Sequence, residues 1–343
     1  MKAGAKCGLL LALAGMLPVC SAVKKDPTAS AAAPLILVGV MTMPNVVGRL
    51  DHFAIGPADR LFVSAYGNNT EEVFSLPREA VEATIPVPVP QGVVFSPEAN
   101  ELFVGSDEGQ LHIFQGSLLR PVRTISFGDD VDDLRYDAAA RRVYVGYGDG
   151  SAGAIAAVDA TTNSVVGERF KLGAHPEAFE VEKDGPSIFV NVPALHEIAV
   201  INRRTGAIAR WHLKLGGNFP MALDERDHRL FVATHDPPRL AVFDADSGRL
   251  VAALPAVANE DDMYYDRARK RIYITGGEGY ISVFQQADAN HYVLFANVPS
   301  AIGARTSGYW GRQEKSFDRF YVGVPAPARG CNCAEVLIYS VHN

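Results

Sequence analysis

Residues 229–235 read RLFVATH and residues 271–277 read RIYITGG, the same order of residue types displaced by 42 positions. Each stretch leaves a charged turn, runs through consecutive apolar, β-branched and aromatic residues, and stops at small or polar ones. Such a run is too short for a helix and suits a strand covered on both faces. Related strings centre on Phe62 (RLFVS), Phe103 (ELFVG), Tyr144 (RVYVG), Phe189 (SIFVN) and Tyr321 (RFYVG), which with Phe231 and Tyr273 makes seven copies. The steps between these aromatics are 41, 41, 45, 42, 42 and 48 residues. A period just above 40 with several strands per copy marks the blades of a β-propeller rather than a helical solenoid. Two unrelated β-sandwiches would not keep a constant anchor spacing.

Each copy has one internal plan. An inner strand comes first, as in MALDE (221–225) or DMYYD (262–266), and the aromatic strand follows a charged turn. A third strand comes next, as in EIAVIN (197–202) or RLAVFD (239–244), and often a fourth after a turn such as ADSG (245–248). The last copy stops at its third strand, EVLIYSV (335–341), while LILVGVMTM (35–43) belongs to no copy. The expected fold is therefore an all-β, seven-bladed propeller over residues 35–343, closed when strand 35–43 completes the last blade and removes two sheet edges.

The N-terminus reads differently. Lys2 and Lys6 precede the apolar stretch CGLLLALAGMLPV (7–19), too short to span a bilayer, and the small residues Cys20 and Ala22 follow. Residues 1–22 are expected to be a secretory signal, 23–34 a small, polar linker, and the mature chain a monomer exported to the periplasm. Cys20 also admits lipidation, although Val19 stands where lipoprotein signals have a small residue. No later segment is long and apolar enough to span a membrane. Losing Lys2 and Lys6 takes the formal charge from −7 to −9, and an acidic surface disfavours nucleic acid.

The strings GRLDH (48–52), PQGVVF (90–95), YVGYGDG (144–150), HPEAFEVE (175–182), NFPMALDE (218–225) and GARTS (303–307), with the degenerate FVAT and YITG, carry a resemblance. The chain resembles the YncE-like, YVTN-repeat propellers of the bacterial periplasm over all its blades. That resemblance implies a fold and a compartment. It implies no single activity, since related propellers serve as binding modules, cofactor-carrying subunits and a few lactone-opening enzymes.

No nucleophile elbow, zinc-protease, Walker or haem-attachment motif is present, and no cofactor is indicated. Chemistry must come from positions that the repeat forces together. Eleven or twelve residues before each aromatic anchor the chain begins its innermost strand, at one mouth of the central channel. Those positions hold Asp51, Gln91, Asp132 with Asp133, Glu177, Phe219 with Pro220, and Asp261 with Asp262, and Arg305 holds the place in the last copy. Arg49, His52, His175 and Asn218 lie beside them. The expected ligand-binding set is Arg49, Asp51, His52, Gln91, Asp133, His175, Glu177, Asn218, Asp262 and Arg305. Convergent carboxylates shift one another's pKa and favour a cation, whereas pairing with arginine or histidine makes a structural network. No metal ligands are assigned by spacing: the run DDVDD (129–133) fails the calcium-loop pattern. Cys331 and Cys333 are compatible with a local disulfide, a soft-metal pair or free thiols, on a loop expected at the same mouth.

Two functions follow as expectations. One is a module that binds a small molecule or periplasmic protein at the charged mouth. The other is a metal-assisted lactone hydrolase or lyase using carboxylates with His52 or His175 there.

Overall fold

The computed structural model describes Met1 and residues 33–311, 318–327 and 332–343. Residues 2–32, which hold Cys20, all of the expected signal but Met1 and most of the expected linker, lie outside the described residues. Seven four-stranded antiparallel sheets follow one another along the chain. Blades 1 to 6 cover residues 53–86, 90–126, 131–171, 179–212, 216–255 and 260–302. Blade 7 comprises Ser307–Trp310, Arg319–Val324 and Ala334–Val341, and its fourth strand is Leu35–Met43. The pairing runs from Leu35 opposite Val341 to Met43 opposite Ala334, with one bulge between Leu37 and Gly39. Strand 35–43 thus closes the ring as its missing partner required. Among the described residues no helix is long and apolar enough to cross a membrane.

The aromatic anchors are structurally equivalent. Phe62, Phe103, Tyr144, Phe189, Phe231, Tyr273 and Tyr321 each occupy the third position of the second strand of their blade. All are at most 3% exposed. Their blades pack face to face, so the core is divided among the blade interfaces instead of pooled in a centre. One cluster joins Phe231 and Leu240 of blade 5 to Ile272 and Met263 of blade 6. Another joins Met41 and Met43 of the closing strand and Tyr321 of blade 7 to Leu61 and Phe74 of blade 1. This explains why the aromatic strands read as unbroken apolar runs: both faces need burial.

The inner strands depart from regular pairing at one recurring place. Register shifts fall between Pro90 and Val93, Val131 and Leu134, Asn218 and Met221, and Glu260 and Asp262. A bulge adds a residue to one strand and re-aims neighbouring side chains. Each of these bulges sits where its inner strand begins, so the irregularity is concentrated at one end of the channel. Glycine accommodates the crowding there: a Cβ on Gly92 would lie 2.1 Å from the Asp132 carbonyl of the next blade.

The cysteine loop runs to the same end. Ala326 bridges to Gly48, and the Ala334 amide donates to the Val46 carbonyl at 3.2 Å, just ahead of Arg49. Cys333 is disulfide-bonded and 4% exposed. Cys331 lies outside the described residues.

Candidate functional site

The starts of the seven inner strands enclose a cavity of about 290 Å³. Blade 1 contributes Arg49, Asp51 and His52, blade 2 Gln91, and blade 3 Asp130, Asp132 and Asp149. His175, Glu177 and Ala178 come from blade 4, Phe219 from blade 5, Asp261 from blade 6 and Arg305 from blade 7. Further along the same strands a second cavity of about 430 Å³ shares His52, Ala178 and Asp261 with the first. The two are parts of one channel, with His52 at the waist. Its Nδ1 lies 3.5 Å from Asp262 and its Nε2 3.8 Å from Asp51. Burial opposes a charge on this ring, but Asp262 and Asp51 outweigh it and hold the His52 pKa well above the usual histidine value.

Charge is divided unevenly around the mouth. Arg49 is ion-paired with Asp51, and its guanidinium also lies over the Tyr66 ring, 4.1 Å from the centroid. The Arg305 Nε lies 3.1 Å from Asp261. Both cations are therefore engaged on the side formed by blades 1, 6 and 7. On the opposite side four carboxylates surround one imidazole. His175 Nδ1 lies 3.5 Å from Asp130 and 3.6 Å from Asp149, while Nε2 lies 3.4 Å from Asp132 and 4.0 Å from Glu177. Burial, then repulsion from Asp132, pushes the Asp130 carboxyl up to about 7. The same two causes push the Glu177 carboxyl well above the carboxylate range. Burial disfavours a charged His175, but hydrogen bonding to Asp132 and the charges of Asp132, Glu177 and Asp130 raise its pKa. The side holds more negative charge than it neutralises.

The ten residues expected from sequence divide into two groups. Arg49, Asp51, His52, Gln91, His175, Glu177 and Arg305 line the mouth. Asp133, Asp262 and Asn218 do not line it; they fasten the inner strands, and Asp133 and Asp262 border the second cavity further along the channel. Asp133 accepts from the Leu134 amide at 2.8 Å and from the Phe179 amide of blade 4 at 3.4 Å, and pairs with Arg135. Asp262 accepts from the Ser307 amide of blade 7 at 2.6 Å. Phe179 and Ser307 each begin an inner strand, so these aspartates make the same blade-to-blade tie. Asn218 is fully buried and donates to the Asn191 side chain and the Glu197 carbonyl, each at 2.9 Å. The mouth receives instead the preceding aspartates, Asp132 and Asp261, together with Asp130 and Asp149. Adjacent residues of an extended chain point to opposite sides, and a bulge decides which. Both members of each Asp-Asp pair were visible in the sequence, but their assignment was not.

Beside the mouth, Glu260 is fully buried, and neither carboxyl oxygen accepts a hydrogen bond from another described residue. His235 Nε2 stands 3.8 Å from it. Burial, opposed by its own backbone amide and reinforced by Asp261 and Glu278, pushes its carboxyl from 4.5 up to about 8. A raised carboxyl keeps its proton in the folded state after the unfolded chain has lost it. Its contribution is full below about 4.5 and is lost as pH rises through about 8. Glu260→Gln cannot ionise, so its urea midpoint is expected to fall less between pH 5 and pH 8.5 than that of the parent. Equal falls in both proteins would contradict this reading.

No family model matches the chain, and no curated protein matches it. Solved structures do. A chain of the mitotic checkpoint complex is 12% identical with a TM-score of 0.75, covering 97% of this chain and 100% of that one. The RRP9 WD40 repeats are 12% identical with a TM-score of 0.74, over 90% of this chain and 98% of that one. U3-55K is 12% identical with a TM-score of 0.73, over 89% and 98%. At this identity the likeness concerns the fold, a seven-bladed propeller.

Proposed function

We propose that this protein is an exported, YncE-like binding module that receives a small, positively charged ligand at the mouth of its channel. The observation that carries the proposal is the uneven pairing of charge. Arg49 and Arg305 are engaged by Asp51 and Asp261, whereas Asp130, Asp132, Asp149 and Glu177 share one histidine. Like charges held together cost free energy unless a cation compensates. A recess of about 290 Å³ suits a small ligand better than a protein surface does. The likeness to the WD40 repeats extends to the fold alone, and a fold by itself assigns no ligand.

The test compares the parent protein with the double variant Asp130→Asn, Glu177→Gln. Calorimetry with putrescine, Zn²⁺ and Mn²⁺, with acetate as the anionic control, should show cation binding by the parent alone. The double variant should keep or raise its melting temperature, because repulsion has been removed. Binding of acetate alone, or of nothing, rejects the proposal. A large loss of stability in the variant would identify the cluster as a structural plug.

A further inference from the structure

We infer that the mouth holds a divalent metal ion of the zinc or manganese type, bound by Asp132, His175 Nε2 and Glu177. The inference rests on the proposed cation-binding mouth and narrows it to one ion class and one set of atoms. Two groupings share the imidazole: Asp132, His175 and Glu177, and Asp130, Asp149 and His175, each with its ligand atoms mutually within 4.8 Å. The hydrogen bonding of the ring distinguishes them. Nδ1 lies 3.2 Å from the Gly148 carbonyl oxygen, which can only accept, so Nδ1 carries its proton there. Nε2, on the side of Asp132 and Glu177, is then the ligating nitrogen, with the metal taking the place of its proton. A ligating histidine commonly donates its other N–H to a carbonyl or carboxylate, which fixes the ring. Gly148, Asp130 and Asp149 provide such partners.

The distances suit an ion of this size. Bonds of about 2.1 Å at tetrahedral angles place ligand atoms about 3.4 Å apart. Nε2 lies 3.4 Å from Asp132 and 4.0 Å from Glu177, so a small turn of the Glu177 side chain completes the set. A residue before proline is biased toward extended backbone, as His175 is by Pro176, and His175 and Glu177 both line the mouth. An imidazole nitrogen with two carboxylates favours zinc or manganese over calcium, which prefers oxygen alone. Three protein ligands leave a coordination position open toward the cavity, where an oxygen-bearing small molecule can bind.

The experiment titrates the chelator-stripped full chain with Zn²⁺, Mn²⁺, Ca²⁺ and putrescine. Zn²⁺ or Mn²⁺ should bind with one-to-one stoichiometry and at least tenfold more tightly than Ca²⁺. Loss of an outer partner alone costs roughly 10- to 100-fold. His175→Ala and the milder Glu177→Gln should therefore each weaken binding at least about 100-fold, with melting temperatures reported beside them. Asp149→Asn, on the Nδ1 side, should cost less than either. An Asp149→Asn loss exceeding that of Glu177→Gln would move the ion to the other grouping and overturn the assignment. Putrescine binding without metal binding would overturn the metal site while leaving the cation-binding mouth standing. Binding of neither would reject both.

Discussion

Deletion of Leu35–Met43 is expected to leave a protein without a cooperative unfolding transition, or with one displaced far toward low urea. This strand supplies the outer edge of the last blade through a nearly complete antiparallel ladder with Ala334–Val341. It also buries Leu35, Met41 and Met43, at 3%, 1% and 1% exposure. Removing a buried aliphatic or methionine side chain typically costs about 2–5 kcal/mol. Three together are comparable with the whole stability of a typical domain, about 5–15 kcal/mol. Met41 and Met43 sit in the cluster joining blade 7 to blade 1, so the loss falls on the seam of the ring. The deletion also exposes Ala334–Val341 as an apolar sheet edge, and such edges promote association. Urea denaturation followed by far-ultraviolet circular dichroism, with size-exclusion chromatography, checks both effects. An unchanged urea midpoint and a monomeric profile would show that the ring does not need its latch.

Truncating one anchor should produce the next largest effect. Phe231 is fully buried between blades 5 and 6, with ring centroids 5.1 Å from Tyr265 and 5.8 Å from Tyr292. Phe231→Ala removes this packing and leaves a cavity between sheets fixed by their own hydrogen bonds, so the site relaxes little. A loss of about 3–5 kcal/mol is expected. Phe231→Leu, which retains much of the volume, should cost less than about 1.5 kcal/mol. Leu118, 72% exposed, is the control, and Leu118→Ala should stay within about 0.5 kcal/mol. The measure is the urea midpoint at unchanged slope. A Phe231→Ala loss no larger than that of Leu118→Ala would refute the packing assigned to the anchor.

The sequence by itself determined the repeat, the blade number, the closing strand and the ring of inner-strand starts. The physical reason is periodic: a strand buried on both faces must be apolar along its length, and each blade repeats that demand around Phe62, Phe103 and their equivalents. Once the inner strands were placed, Asp51, His175, Glu177 and Arg305 had to converge, whatever each one did there. Only the tertiary structure decided which neighbour of each pair faces the mouth. Asp132 and Asp133 are chemically identical, and so are Asp261 and Asp262. A bulge whose position depends on pairing with the next strand turns one to the mouth and the other, deeper in the channel, to a backbone amide of the adjacent blade. Asn218 went to a buried tie for a similar reason, because its partners Asn191 and Glu197 belong to another blade. The grouping around His175 was hidden by the same distance along the chain. Asp132 lies 43 residues away from it, and no local spacing rule reaches from one blade to the next. Local periodicity carries the fold, whereas the charge balance of the mouth is set by contacts that exist only when the ring is closed.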